Sequence, residues 1–490
     1  MKNKANPKRL LRQIREQVTL EAVQGTDGQA YLVCETTGVR LATPLESNKI
    51  IPLLKEIVSN AIDCTITRSE ARDILESMQG ELLANPGWKK TILPRVGVGE
   101  NGPELLFRSD NGKVIQFYDG TYKIVRRGTA TFIHSEDGDG FIYPLPTNDL
   151  RHGIKRFLKI TRLPKKECML VILWIIHAYL PHGPYPLLMI NGVTGAGKSM
   201  LTESIRLLVD PSSVPTREAP KNERELFSAA QYNHIIAIDN ASELKPQMLD
   251  ALCRMSTGGG ISIHKGNRLA DEKVYGACRP VILNSIAPIG LRDDVLRRAI
   301  VLNLDRHTSN LKEGLYLESF KAELPRIFDA LLQAVAIGLS RIGEVDSERA
   351  SRMAGFEAFS IAAGSAFGWS EERILSVYAE NQAEAFSMLG ESMALLVVIR
   401  ELIRRESEWH GTSTQLLRRV KEIAAEGAVR DEVDVKGLPK AANSLSGQLN
   451  RAREALHAFG IDFDRGRSGG GKERLIHLVA IRARESDQVG

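Results

Sequence analysis

The spacing of apolar and polar positions changes period several times along this chain. Val18 to Val23 and Ala30 to Cys34 alternate loosely across the turn Gly25-Thr26-Asp27-Gly28 and predict a hairpin. Asn48 to Ala61 and Ser69 to Leu83 read as helices, the second starting at Ser69 with Glu70 and Asp73 in its first turn. From Thr91 to Tyr143 short strands are separated by Asn101-Gly102, Asp110-Asn111-Gly112, Asp119-Gly120 and Asp137-Gly138-Asp139-Gly140, which predicts a β-rich module. Pro144, Pro146 and Pro164, with the helical run Glu167 to Leu180, form a connector that Pro181-His182-Gly183-Pro184 ends. From about 185 to 306 strand and helix patterns alternate, as a parallel sheet requires.

After Ser392 the pattern changes again. A helix from Met393 to Glu406, a short Trp409-His410 segment and helices Ser413 to Ala425 and Ser444 to Phe459 precede two strands, the order of a winged helix. The expected wing, Ile461 to Ile481, carries Arg465, Arg467, Lys472 and Arg474 around Ser468-Gly469-Gly470-Gly471. A glycine-rich loop with like charges is well suited to a phosphate backbone; the alternative is a disordered basic loop on a protein-interaction module. If DNA is the ligand, Gln448, Asn450, Arg451 and Arg453 are the groove-facing candidates. The expected segments are therefore 1–146, 147–184, 185–306, 307–391 and 392–490.

Composition narrows the class. With 490 residues, 43% hydrophobic and 26% charged, the chain can bury several cores. The longest apolar run, Cys168 to Leu180, contains His177 and is too short for a bilayer span, so no membrane association is expected. The N-terminus is basic (Lys2, Lys4, Lys8, Arg9, Arg12, Arg15) without a following apolar core, and reads as a solvated arm or helix instead of a signal peptide. Five cysteines without paired spacing argue for reduced thiols in the cytoplasm and against structural zinc. A net charge of +5 is too small to announce a nucleic-acid protein, so any basic surface must be local.

The sharpest chemical signal is Gly192-Val193-Thr194-Gly195-Ala196-Gly197-Lys198-Ser199, followed by Met200, which fits the phosphate-binding pattern G-x-x-x-x-G-K-[ST] between a strand and a helix. The glycines let successive N–H groups turn toward phosphates, Lys198 reaches the β/γ oxygens, and the Ser199 hydroxyl can ligate Mg²⁺. A nucleoside triphosphate, ATP, is the expected ligand. His234 to Asp239 then reads as an apolar strand ending in an acid that completes the Mg²⁺ shell. Asn240 stands where many such ATPases carry a water-polarising glutamate; an amide orients water without accepting its proton, and Glu243 is the nearest substitute. A third strand, Pro280 to Asn284, ends in an amide beside the γ-phosphate position. Arg292, Arg297 and Arg298 precede a fourth, Ala299 to Leu304, and Arg298 is the candidate for an arginine completing a neighbour's site.

Together these elements resemble the AAA+ ATPases of the superfamily 3 helicase type, found in phages, viruses and integrated elements. The motifs from Gly192 to Asn284 lie 92 positions apart, the family's tight spacing. Leu252 to Arg268 is similar to its third motif, a hairpin lining a ring's channel, which implies that His264, Lys265 and Arg268 contact nucleic acid. More narrowly, His182 to Pro186, Arg279 to Asn284, Arg352-Met353-Ala354 and Gly368-Trp369 are similar to ATPases of mobile elements and prophages. The Asp239-Asn240 pair departs from the family's acidic pair.

The resulting expectation is an α/β fold with a P-loop AAA+-type core, a β-rich N-terminal module, a helical connector and a C-terminal winged-helix-like domain. The resemblance implies a DNA-dependent ATPase, ring-forming and hexameric, acting as a helicase or translocase on single-stranded DNA in its channel and duplex at its C-terminal domain. The alternative is an ATP-switched DNA-binding regulatory or defence scaffold with slow turnover. A P-loop small-molecule kinase would leave the hairpin motif, Asn284 and the basic C-terminal module unexplained.

Overall fold

The computed structural model describes all residues except 1–6, 36–37, 86, 88, 107–112, 135–142, 148, 242–243, 265–271, 287–291, 306–312, 346–350, 427–437, 468–473 and 482–490. The chain divides into two compact units: Met1–Ile289 with Leu302–Leu375, and Gly290–Val301 with Ser376–Gly490.

In the larger unit, the basic N-terminus is a helix, Pro7–Gln17, whose Leu10, Leu11 and Ile14 are buried in a core shared with helices Ile50–Ile62 and Arg68–Ala84. The last of these starts ahead of Ser69. Thr67 caps it, accepting from the Glu70 N–H while the Glu70 carboxylate accepts from the Thr67 N–H. The expected hairpin pairs Thr19–Gln24 with Ala30–Glu35, and it joins a five-stranded mixed sheet in the order Thr19–Gln24, Ala30–Glu35, Arg40–Pro44, Thr131–Ile133, Ile92–Leu93. A four-stranded meander, Val96–Gly99 to Thr121–Val125, is fixed by buried Glu104, which accepts from the Thr129 and Ala130 N–H groups at 2.9 and 2.8 Å.

The connector is two helices, Leu150–Thr161 and Lys165–Ala178. Every residue from Cys168 to Ala178 is buried, which is why this run shows no amphipathic period. Its Trp174 Nε1 donates to the Pro186 carbonyl at 2.7 Å, and the Tyr179 hydroxyl donates to the Leu208 carbonyl at 2.7 Å, clamping the strand and helix on either side of the glycine loop.

The core sheet runs in the order Ile236–Ile238, Val281–Ser285, Leu187–Gly192, Ala299–Leu304. Val281–Ser285 pairs in parallel with both neighbours, Ile282 opposite Leu188 and Leu283 opposite Ile238. Beyond Ile236–Ile238 the chain adds one parallel bridge at Arg217, whose N–H donates to Ala237 and whose carbonyl accepts from the Asp239 N–H. This order sets the carboxyl ends of three parallel strands side by side, where ligands of such sheets bind. Helices Glu313–Arg341 and Ala354–Gly364 follow.

The smaller unit contains Asp293–Leu296, Ala394–Glu406, Ser413–Ala425 and a three-stranded antiparallel sheet ordered Glu408–Thr412, Arg474–Ala480, Ile461–Arg467. The helix expected over Ser444 to Phe459 is two, Ala442–Arg451 and Arg453–Ala458, parted at Ala452. Among the described residues no helix is long and apolar enough to cross a membrane.

Candidate nucleotide-binding site

Gly195 and Gly197 sit at φ 82° and 88°, a left-handed conformation that a side chain disfavours, and no atom lies within 4 Å of a Cβ built on Gly195. Conformation, not space, therefore demands glycine there. Gly197 is the N-cap of helix Lys198–Val209 and offers no side-chain acceptor, so the first-turn N–H groups keep their capacity for an anion.

This loop lines a cleft of about 560 Å³. Thr194, Lys198, Ser199 and Met200 form one wall; Asp239, Asn240 and Asn284, from the ends of two neighbouring strands, form the other. Three sequence motifs thus meet in one cavity. The Lys198 ammonium donates to the Gly192 and Val193 carbonyls at 2.6 and 3.2 Å. Burial pushes its pKa below the ordinary value, partly offset by the Asp239 carboxylate. Ser199 is exposed and Asp239 half-buried, giving a hydroxyl and a carboxylate on the same cleft, a hard oxygen donor set that fits Mg²⁺.

Asn284 is fully buried. Its Oδ1 accepts from the Thr202 hydroxyl at 2.9 Å, while its Nδ2 has no partner in the protein, so the amide keeps an N–H pair for a ligand. Sequence reasoning missed Thr202, although its position one turn after Lys198 places it on the helix face turned to the sheet. Asn240 has φ 53°, a left-handed conformation that asparagine tolerates better than glutamate, which gives a local reason for the missing acid. Glu243 lies outside the described residues.

The three arginines before Ala299–Leu304 are not equivalent. Arg292 makes a two-pronged contact with Asp294 at 3.0 and 2.8 Å. Arg297 is held by Asp293 and Glu454 at 3.0 and 2.9 Å and lies over the Phe386 ring. Arg298 has no hydrogen bond or ion pair from its side chain among the described residues.

The third motif is a hairpin in which Gly259–His264 pairs with Glu272–Ala277, His264 opposite Glu272. Its tip, with Lys265 and Arg268, lies outside the described residues. In the smaller unit Arg467 pairs with Arg474 in the final hairpin's register, and Lys472 is again outside the described residues. Arg465 donates to the Ser446 carbonyl at 2.9 Å and lies over Phe463, so this cation is already engaged within its own domain.

The stretch that builds the cleft matches a family of replication proteins from mobile elements. Residues 154–378 match the family model of the actinomycete integrative conjugative element replication protein, and residues 395–487 match the model of the RepA C-terminal domain of these elements. No curated protein matches the chain. Among solved structures it is similar to the SCCmec type IV Cch active helicase (11% identity, TM-score 0.47, covering 95% of this chain and 93% of that one). It is also similar to the NrS-1 C-terminal region (11% identity, TM-score 0.42, covering 97% and 100%).

Proposed function

We propose that this chain is an ATP-hydrolysing replication protein of an integrated mobile element, acting on DNA as a ring-forming, hexameric helicase or translocase. One observation carries the reading: the glycine loop, Lys198, Ser199, Asp239 and Asn284, whose amide nitrogen is unpartnered, line one cleft. The family matches support the replication role.

In this mechanism the loop N–H groups and Lys198 hold the β/γ-phosphates, and Lys198 exchanges its two carbonyl contacts for phosphate oxygens. Ser199 and Asp239 would hold Mg²⁺, which supplies charge neutralisation on the phosphates. Asn284 donates to the γ-phosphate or the attacking water, and Arg298 of a neighbouring subunit stabilises the transferred phosphoryl group. His264, Lys265 and Arg268 would touch single-stranded DNA in the channel, and Arg465, Arg467, Lys472 and Arg474 duplex DNA.

Steady-state hydrolysis and nucleotide binding test the site directly. Lys198→Ala should weaken ATP binding about 100-fold, the equivalent of losing a charge-assisted contact worth ~3 kcal/mol. Asp239→Asn should bind ATP and fail to hydrolyse it. Equal rates for wild type and both variants would overturn the assignment. The left-handed Asn240 on the cleft favours a second reading, a slow ATP-switched DNA-binding scaffold. Strand displacement on a forked substrate separates the two: ATP-dependent displacement supports the helicase, and nucleotide-dependent binding without displacement supports the switch.

A further inference from the structure

Outside the nucleotide cleft, the segment from Leu150 to Lys166 holds seven lysines and arginines and no acid. Most of it is the helix Leu150–Thr161, whose Ile154 and Phe157 are buried. Phe157 meets Phe320 of helix Glu313–Arg341 edge-on at 6.1 Å, and a Cβ on Gly153 would lie 2.5 Å from that of Ala330. The two helices therefore approach as closely as glycine allows, which holds the face of the first helix beside this contact in place.

That face is cationic. His152, Lys155, Lys159 and Arg162 fall within one helical stripe about 15 Å long at 1.5 Å per residue and line a cleft of about 660 Å³. Lys155, Lys159 and Arg162 are exposed and carry no ion pair among the described residues. The cleft's acid, Glu323, is engaged by Arg156 and by Arg326 at 3.5 Å. His152 faces Asp149 at 3.3 Å, but Lys155, Lys159 and Arg162 are like charges one helical turn apart that repel, so they cost stability unless a polyanion neutralises them. No Phe, Tyr or Trp lines the cleft. Single strands are bound by stacking bases on such rings, whereas a duplex backbone needs only cations in register with phosphates.

We propose that the cleft between helices Leu150–Thr161 and Glu313–Arg341 is a binding site for the phosphate backbone of duplex DNA, separate from the hairpin and the C-terminal domain. It does not depend on hydrolysis, so it is tested on the full chain without nucleotide, by anisotropy of a labelled 20-base-pair duplex over a range of salt. The triple variant Lys155→Gln, Lys159→Gln, Arg162→Gln should bind at least tenfold more weakly at low salt. Its log–log salt slope should be shallower by about 2.7, near 0.9 per lost phosphate contact. Glu323→Gln should shift affinity and slope the opposite way, which a damaged fold would not do. Unchanged duplex affinity and slope in the triple variant overturn the proposal. So does a loss confined to single strands, or polyglutamate binding that falls in the triple variant while duplex binding does not, which would mark an acidic protein partner instead.

Discussion

The nucleotide cleft and the C-terminal domain hold their candidate ligand contacts in different currencies. The cleft relies on main chain: two glycines in left-handed conformations and an uncapped helix start. The C-terminal domain relies on long cationic side chains, and those described are already occupied, Arg465 on the Ser446 carbonyl and Arg453 over the Phe463 ring. Backbone conformation is dictated by adjacent residues, so a site made from it can be read along the chain. A side chain's availability depends on what the fold brings beside it. Arg292, Arg297 and Arg298 condense the same lesson into seven positions, since Asp294, Asp293 and Glu454 engage the first two.

The largest expected effect tests whether an unengaged side chain can matter as much as the loop. Arg298→Ala should bind ATP near normally and hydrolyse it about 10³-fold more slowly, the scale of a lost arginine finger. Arg297→Ala, which loses the Asp293 and Glu454 contacts, should lose stability with far less effect on the chemical step. Mixing Arg298→Ala with Lys198→Ala should restore part of the activity if sites are shared between subunits. Co-assembled mixtures without recovery, together with wild-type turnover by Arg298→Ala alone, would remove Arg298 from the mechanism.

Much of the cleft was legible from residues alone. The motif at Gly192 to Met200 and the polar strand ends Asp239 and Asn284 stand out in the sequence, and Thr194, Gly195, Gly197, Lys198, Ser199, Met200, Asp239 and Asn284 line one cavity. The strand Ala299–Leu304 appears at its expected bounds, while the helix expected over Glu167 to Leu180 is Lys165–Ala178. What escaped had no local pattern. The bridge at Arg217 is a single residue of pairing, too short to show a period. Helix Leu150–Thr161 is hidden in the sequence because Pro144, Pro146 and Pro164 around it suggest a linker. The basic arm became a docked helix because Leu10, Leu11 and Ile14 share one face, which its charges masked.

A second, smaller effect separates the two units by pH. His177 and His234 are buried in the larger unit, and burial lowers each pKa to about 4. His177 Nε2 donates to the Pro184 carbonyl and His234 Nε2 to the Ala178 carbonyl, both as neutral rings. Unfolded imidazoles take up protons near pH 6.5, while these two do not until about pH 4. Stability is therefore intact above pH 6.5 and falls as the pH drops toward 4, by up to about 3 kcal/mol per ring. Hydrogen exchange resolved along the chain should show the larger unit opening first on acidification. His177→Phe, set among Phe356, Phe359 and Tyr185, should flatten part of that slope. A wild-type slope in the variant would show that its proton is not the one that counts.

The smallest effect sharpens the comparison within the cleft itself, at a contact that depends on a side-chain pair. Thr202 and Asn284 are both fully buried, and the threonine hydroxyl occupies the amide oxygen, leaving the nitrogen for the ligand. An amide can rotate by half a turn at little steric cost. Without the hydroxyl, Asn284 loses what distinguishes its two ends and turns its oxygen toward phosphate in a share of molecules, where it repels. Thr202→Val keeps the shape and removes the donor, so kcat should fall about tenfold, the loss of ~1.4 kcal/mol of a buried hydrogen bond, with KM for ATP nearly unchanged. Thr202→Ser, which keeps the hydroxyl, should restore kcat despite a missing methyl group. A purely structural threonine would give the reverse order, with valine tolerated and serine the more damaging, and that order in kcat would show that Asn284 finds its orientation without help.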